Sequence, residues 1–508
     1  MPRKLSTSRS GFSRRRFLGA AAVSTAALAL SRTRIYGANE AVNIGFIGLG
    51  GRGSGHVKWF EDLSKPGSAE KPAGGGNAPP QTPLNVRVAG LCDADAKILG
   101  GIHKKYSQAK AELDMRKQLD DKSIDAVVVA TCNHWHALAA VWAMQAGKDV
   151  YVEKPVSNNV WEGRKMVEAA RKYNRICQGG TQQRSDPVQK QLQTLIKSGE
   201  MGKMLWIRGN RLGMRESIGK LNAPLKPPAD VNYDLWLGPA QDKPIFREKF
   251  HYDWHWDWNT GAGEMGNWGV HILDDIRGAL GDQCTLPKGI LSAGGRVAWN
   301  DAGETPNVHT VYFDTGVVPV IFSLSNLPFN NKDRKTQSAV WRGQPQSGYV
   351  IAFENGYYSG TRGGGKVLDK DWKMTKQFKG DAGGQHARNF IEAVKSRDPK
   401  HLNAEIERCH YSSSWCHLAN VAFRLGQNYT REQHEAASKL PAWTELVDGF
   451  HKHLDANEVD AAKSGLKVST MLQIDPEKET FVGPSATPEA QALLRREYRK
   501  PYVMPEQV

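Results

Sequence analysis

Residues 42–55 read Val42-Asn-Ile-Gly-Phe-Ile-Gly48-Leu-Gly50-Gly51-Arg52-Gly53-Ser-Gly55. Val42, Ile44, Phe46 and Ile47 form the short apolar run of a buried parallel strand. The run breaks into the pattern Gly48-x-Gly50-x-x-Gly53, and a helical pattern follows. A strand entering a glycine turn at a helix N-terminus leaves backbone N–H groups and the positive end of the helix dipole facing outward. A pyrophosphate fits there, and a Cβ would hold it off. Gly48, Gly50, Gly51, Arg52 and Gly53 are therefore candidate dinucleotide-binding residues. In a chain with 51 glycines the pattern alone is weak, and the neighbouring landmarks decide.

The first landmark is Val86 to Cys92, which alternates like a strand and ends at Asp93. An acidic residue at the tip of the second strand usually lies about 20 residues past the glycines. Here it lies 40 past Gly53, and the segment 60–83, rich in Pro, Gly, Ala and Lys, accounts for the excess as a surface insertion. The Asp93 carboxylate suits an adenosine ribose and repels a 2′-phosphate, which favours NAD, with NADP as the alternative. Capping the next helix is a simpler role for Asp93, compatible with the first.

A helical segment follows from Asp95 to about Leu119, then a buried strand Ala126–Ala130 and the loop Thr131-Cys-Asn-His-Trp-His136. A helix Ala137–Ala146 leads to the strand Asp149–Val152, which delivers Glu153-Lys154-Pro155. Ser157 caps a helix to Tyr173, and Ile176–Gly179 is the next strand. Strand–helix alternation of this kind predicts a parallel sheet with its ligand at the carboxyl ends of the strands.

The succession A-T-x-N-x-x-H, A-G-K and V-x-V-E-K-P, from Ala130 to Pro155, resembles the glucose–fructose oxidoreductase/inositol dehydrogenase (Gfo/Idh/MocA) family. The resemblance extends over nearly all of the chain past residue 38. It departs in the insertion at 60–83 and in Cys132, where the family usually has Pro. It implies a two-domain NAD(P)-dependent enzyme of sugars and polyols. The implied fold is an N-terminal Rossmann parallel-sheet domain (39–180) and a C-terminal α+β domain (181–427) with a large, mostly antiparallel open sheet. Thr131, Asn133, His136, Glu153, Lys154 and Gln183 join the cofactor set. The open sheet implies a homo-oligomer.

In the second half, Phe250-His-Tyr-Asp-Trp-His-Trp-Asp-Trp258 interleaves aromatic rings with carboxylates. Such rings are most often core. The polar residues between them make Tyr252, Trp254, Trp256 and Trp258 an equal candidate for a sugar-stacking wall. His251 and His255 have no third ligand at zinc spacing, so no metal is expected. Gly261 to Asp275 then carries Asn267 and His271 where the family helix carries D-x-x-x-H. Asn cannot take a proton. Base duty falls to His271, with Lys154 to stabilise a developing alkoxide. Strands recur from Gly289 to Tyr358, helices follow at His386 and at Tyr411–Leu425, and His417 reads as core. Residues 428–508 read as a peripheral extension.

The formal charge is +15, but residues 1–38 contribute eight of it with no acidic residue, leaving +7 spread without a long basic run. That excludes a nucleic-acid footprint. Ser13-Arg14-Arg15-Arg16-Phe17-Leu18 and the apolar run Gly19–Leu30 resemble a twin-arginine export signal, with a poor cleavage site at Tyr36-Gly37-Ala38. The run is too short to span a bilayer, so no stable membrane insertion is expected after signal removal. The expected partners are the Tat export machinery and a small carbohydrate, and the expected location is the periplasm. Six cysteines without C-x-x-C spacing predict no disulfide framework. The expected activity is hydride transfer between a tightly bound nicotinamide and a sugar, polyol or glycoside hydroxyl. The alternatives are an NAD-dependent glycosidase or lyase working by transient oxidation, with Tyr252 or Asp253 as extra acids, and a sugar-binding protein with a dead nucleotide site.

Overall fold

The computed structural model describes Gly37, residues 40–65, 82–330 and 341–508. The twin-arginine reading falls on residues outside these, as does most of the insertion.

The first sheet holds six parallel strands: β1 (Val42–Ile47), β2 (Val86–Cys92), β3 (Lys110–Glu112), β4 (Ala126–Val129), β5 (Asp149–Val152) and β6 (Cys177–Gly179), in the order β3-β2-β1-β4-β5-β6. This is the doubly wound dinucleotide-binding order, with its crevice where the order reverses between β1 and β4. Alternate side chains feed two cores. Ile44, Phe46, Val128 and Tyr151 pack under Phe60 and, from far along the chain, Phe390, Ile391 and Val394. Ile47, Val127, Val129 and Val152 pack under Leu138, Val141 and Met166, joined by Tyr502 and Met504 of the C-terminal tail.

The single helix expected over 95–119 is instead two helices, Ala96–His103 and Met115–Asp120, with β3 between them. Each begins at an aspartate, Asp95 and Asp114, whose carboxylate accepts the first free N–H groups. The expected helix from Ala137 begins earlier, at Asn133, and runs to Gln145. The helix expected from Ser157 spans Val160–Lys172, and its cap is Asn159.

The second sheet is mixed and mostly antiparallel. Its central strands are β7 (Met204–Leu212), β8 (Gly289–Gly295), β9 (Val308–Asp314), β10 (Pro319–Ser325) and β11 (Ser347–Phe353). Only the β7–β10 pair among these is parallel. Period-2 alternation splits them between faces. Ile290, Val311, Phe313, Val320 and Phe322 meet the helices Val270–Leu280 and Ile406–Leu425. Leu291, Ala293 and Ile321 face the other way and are covered by Ala442, Trp443, Leu446 and Val447 of the helix Pro441–Ala456. The segment after 428 is thus structural rather than peripheral. It covers part of one face of the sheet, and its tail reaches the nucleotide domain. All six cysteines are free thiols. No helix of the described residues is long and apolar enough to cross a membrane.

Candidate active site

The crevice at the switch point has a volume of about 450 Å³ and runs from Asp93 across the glycine turn to Lys154 and Asn267. Its floor is backbone. Gly48 adopts φ +85°, and a Cβ there would lie 2.6 Å from the Ala130 carbonyl oxygen. A Cβ on Gly53 would fall 1.9 Å from the Gly48 oxygen, so these two glycines are required by close chain packing. Gly50 and Gly51 are different: nothing lies within 4 Å of a Cβ on either. They border the empty space in front of the helix Gly51–Asp62, whose first N–H groups face it.

Asp93 closes one end. Its Oδ2 accepts the Leu49 N–H (2.7 Å) and its Oδ1 the Asp95 N–H (2.9 Å), which ties the glycine turn to β2. Burial pushes its carboxyl up, against those two hydrogen bonds. Asn133 lines the crevice with its Oδ1 buried and unpartnered, a vacancy that a ligand hydroxyl or amide donor would satisfy. This orphaned oxygen, the open glycines and the helix N-terminus together fit a dinucleotide. Thr131 also lines the crevice. His136 does too, but its Nδ1 and Nε2 lie 2.7 and 3.0 Å from the Pro155 and Thr131 carbonyl oxygens, so it pins two loops together and offers a ligand only its ring.

Glu153 is a hub. Its Oε1 meets His56 Nε2 (2.7 Å) and accepts from Arg52 Nε (2.9 Å), and its Oε2 accepts the Lys154 N–H (3.1 Å). Burial would raise this carboxyl, but Arg52 and His56 outweigh it and hold it well below the usual range. Gln182 Nε2 donates to Glu153 Oε1 (3.4 Å). Gln183 donates instead to Asp275 and does not line the crevice.

At the opposite end Lys154 Nζ donates to the Asn267 carbonyl oxygen (2.8 Å) and to Asn267 Oδ1 (3.2 Å). Its third N–H remains for a ligand. Burial lowers its pKa, with Arg52 and Arg215 adding to the fall and Glu153 and Glu264 opposing it. The helix is π-wound over Met265–Gly269, with hydrogen bonds spanning five residues, before continuing as Val270–Leu280. His271 follows, buried and outside the crevice lining, its Nδ1 unpartnered and its ring edge-on to Trp268. Burial, with the charges of Lys154 and Arg362, keeps its pKa well below the ordinary value, so the ring is neutral at pH 7.

The four candidate wall residues separate. Tyr252 and Trp254 line the crevice. Trp256 is buried under Tyr252 and Arg215. Trp258 belongs to another small pocket, below the Arg424 guanidinium. Sequence reasoning missed Glu264, Arg211 and Arg215, although Glu264 stands one turn before Asn267. It also missed the cover of the nucleotide end. Asn232 N–H donates to the Ala94 oxygen (2.8 Å), Trp135 Nε1 to the Leu235 oxygen (2.9 Å), and His251 Nε2 meets Asp95 Oδ2 (2.9 Å). Tyr502 Oη reaches Asp234 Oδ2 (2.6 Å), and Tyr502 packs edge-on to Trp135 in the lining. A strap from the second half and the chain's tail thus close over the first. Among the described residues no three His, Cys, Asp or Glu side chains cluster as metal ligands.

The NAD-binding Rossmann-fold model of the Gfo/Idh/MocA oxidoreductase family matches residues 42–181, and that family's C-terminal alpha/beta domain model matches 188–322. An inositol 2-dehydrogenase from Salmonella typhimurium is 29% identical over 167 residues, 32% of this chain and 44% of that one. A glycosyl hydrolase family 109 protein from Shewanella pealeana is 29% identical over 147 residues, 27% of this chain and 28% of that one. The chain thus matches less than half the length of these relatives. The solved levoglucosan dehydrogenase in complex with NADH and levoglucosan shares the fold at a TM-score of 0.54 and 16% identity, over 75% of this chain and 96% of that one. The chain belongs to the Gfo/Idh/MocA oxidoreductase family, with an NAD-binding Rossmann domain at its N-terminal end.

Proposed function

We propose that this protein transfers hydride between a retained nicotinamide dinucleotide and a ring hydroxyl of a sugar, polyol or glycoside. The observation that carries the reading is a Lys154 fixed by Asn267 at the end of a glycine-floored crevice, with the neutral His271 close enough to feel the lysine charge. The glycine turn, Asp93 and Asn133 hold the dinucleotide, and when bound it supplies the two-electron acceptor. Lys154 turns its free N–H to the substrate oxygen and stabilises the charge that develops there. The neutral His271 takes the hydroxyl proton. Tyr252 and Trp254 give the ring a flat wall. The inositol dehydrogenase relative, which acts on a polyhydroxylated ring, supports the same substrate class.

The strap and Tyr502 support a cofactor that stays bound through turnover, recycled in place by a second substrate or acceptor. That suits an exported enzyme, a reading that rests on the sequence of Ser13 to Leu18 and the apolar run Gly19–Leu30. Purified protein is expected to release nicotinamide dinucleotide on denaturation. A panel of sugars and glycosides added to it is expected to raise the absorbance of the reduced ring. Loaded protein that no polyol reduces would overturn the reading.

A second reading, glycoside cleavage through transient oxidation, is favoured by the family 109 relative and by Tyr252, half exposed at the mouth with its Oη held by Arg215 Nη1 at 3.0 Å. Release of aglycone with no net reduced cofactor would select it.

A further inference from the structure

The carboxylate expected at position 267 is absent, yet a buried carboxylate stands one turn earlier. Glu264 is fully buried. Its Oε1 accepts from Arg211 Nε (3.0 Å) and Nη2 (2.9 Å), and its Oε2 from Arg215 Nη2 (3.1 Å). The same Oε2 accepts from Asn267 Nδ2 at 3.2 Å. Arg211 is itself fixed by Ser347 Oγ (2.8 Å) and by the face of Trp268, 4.3 Å away. Neither the sequence motif nor the function above uses this group.

An amide has one donor end and one acceptor end. With Nδ2 committed to Glu264, Asn267 can present only Oδ1 to the Lys154 ammonium. Both oxygens of Glu264 already accept from arginine N–H groups, so the amide end that meets it is the donor. The alternative orientation would set its NH2 group against the Lys154 ammonium and its oxygen against the Glu264 carboxylate.

We propose that Glu264 is a positioning residue. Acting through Asn267, it aims Lys154 at the substrate oxygen and keeps it protonated, replacing an aspartate at 267 by a carboxylate–amide pair. The inference rests on the reading of Lys154 as the group that meets substrate. It carries a consequence that simple packing does not: this pair holds one negative charge, and its position can be exchanged. Asn267→Asp alone places a second carboxylate about 3 Å from Glu264, and one of the two must then hold a proton. Glu264→Gln alone removes the charge. The double variant Glu264→Gln/Asn267→Asp restores it on the other member.

The test compares the four proteins by two readouts. One is the pH dependence of Lys154 acylation by a small amine-reactive reagent, followed by peptide mass spectrometry. The other is the pH profile of bound-nicotinamide reduction. In Glu264→Gln the lysine is expected to become reactive at lower pH, and the alkaline limb of the rate profile to move down with it. The rate is expected to fall about tenfold to a hundredfold, the scale of a lost aligned charge near the reacting atoms. Asn267→Asp is expected to lose activity on the acid side. The double variant is expected to recover both readouts to within a few-fold of the parent. A double variant as impaired as the product of the single losses, or Lys154 labelling unchanged in all four, overturns the inference. Thermal unfolding of each variant separates misfolding from mispositioning. The labelling arm needs no substrate, so a protein that reduces nothing but shows the labelling shifts defeats the hydride-transfer reading and leaves the positioning intact.

Discussion

The two ends of the crevice are made of different material. The nucleotide end is backbone: a strand, two tightly packed glycines, two open ones and a helix N-terminus. The substrate end is a side-chain network running from Lys154 through Asn267 and Glu264 to Arg211 and Arg215. A backbone cradle is fixed by local chain geometry, so its tolerance of change depends on which atom meets which neighbour. A charged network in low dielectric depends on every member at once, because one missing partner strands the others.

The largest expected effect breaks the side-chain end. Lys154→Ala is expected to slow reduction of bound nicotinamide by about a thousandfold, within the range for a lost electrostatic or acid–base group. Cofactor affinity should change only a few-fold. If affinity fell as steeply as rate, the two ends would not be separable in this way.

Acid should act on the whole molecule rather than on one end, since neutral histidines are buried throughout both domains. Burial depresses His134, His309, His417 and His434 to about 3 and His386 to about 4. Their folded pKa lies below that of the unfolded chain, which therefore binds the protons first. Stability is full above about pH 6.5 and is lost as pH falls toward 4, each ring costing about 1.4 kcal/mol per pH unit over that window. Melting temperatures at pH 7.5 and pH 5 check this, and an acid-indifferent protein would contradict the buried neutral state.

At the backbone end, Gly50→Ala is expected to leave thermal stability within about 1 kcal/mol, since a Cβ there meets no protein atom, while weakening cofactor binding about tenfold or more. Gly48→Ala should instead cost about 1–2 kcal/mol of stability, from its positive φ and the approach to Ala130. Calorimetry beside cofactor titration distinguishes the pair. The smallest effect sharpens the substrate wall. Trp254→Ala should raise KM for a ring substrate about tenfold, and Trp258→Ala should leave it unchanged, because only Trp254 lines the crevice.

The same contrast explains what could be read from the chain. β1, the glycine turn and Asp93 were legible because the chemistry is local and the insertion merely lengthened the spacing. The placing of Lys154 beside Asn267 was legible through motifs flanking them, whereas His271 lies outside the crevice lining. The two helices and strand over 96–120 were not, because short amphipathic pieces with capping aspartates mimic one helix in periodicity. Tyr502, the Asp234 contact and the cover given by Trp443 join residues hundreds of positions apart, which no window along the chain reveals. Glu264 lay in view within Gly-Glu-Met-Gly-Asn, but its meaning needed Arg211 and Arg215 from a distant strand and loop.

The account's central claim is that a nicotinamide ring lies between Lys154 and His271 with its pyrophosphate over Gly50 and Gly51. A crystal structure of the protein with NADH and a nonreactive polyol tests it most directly. The account predicts the polyol oxygen within hydrogen-bond reach of Lys154 Nζ and the ring stacked beside it. A dinucleotide bound elsewhere, or one whose ring points away from Lys154, would contradict it.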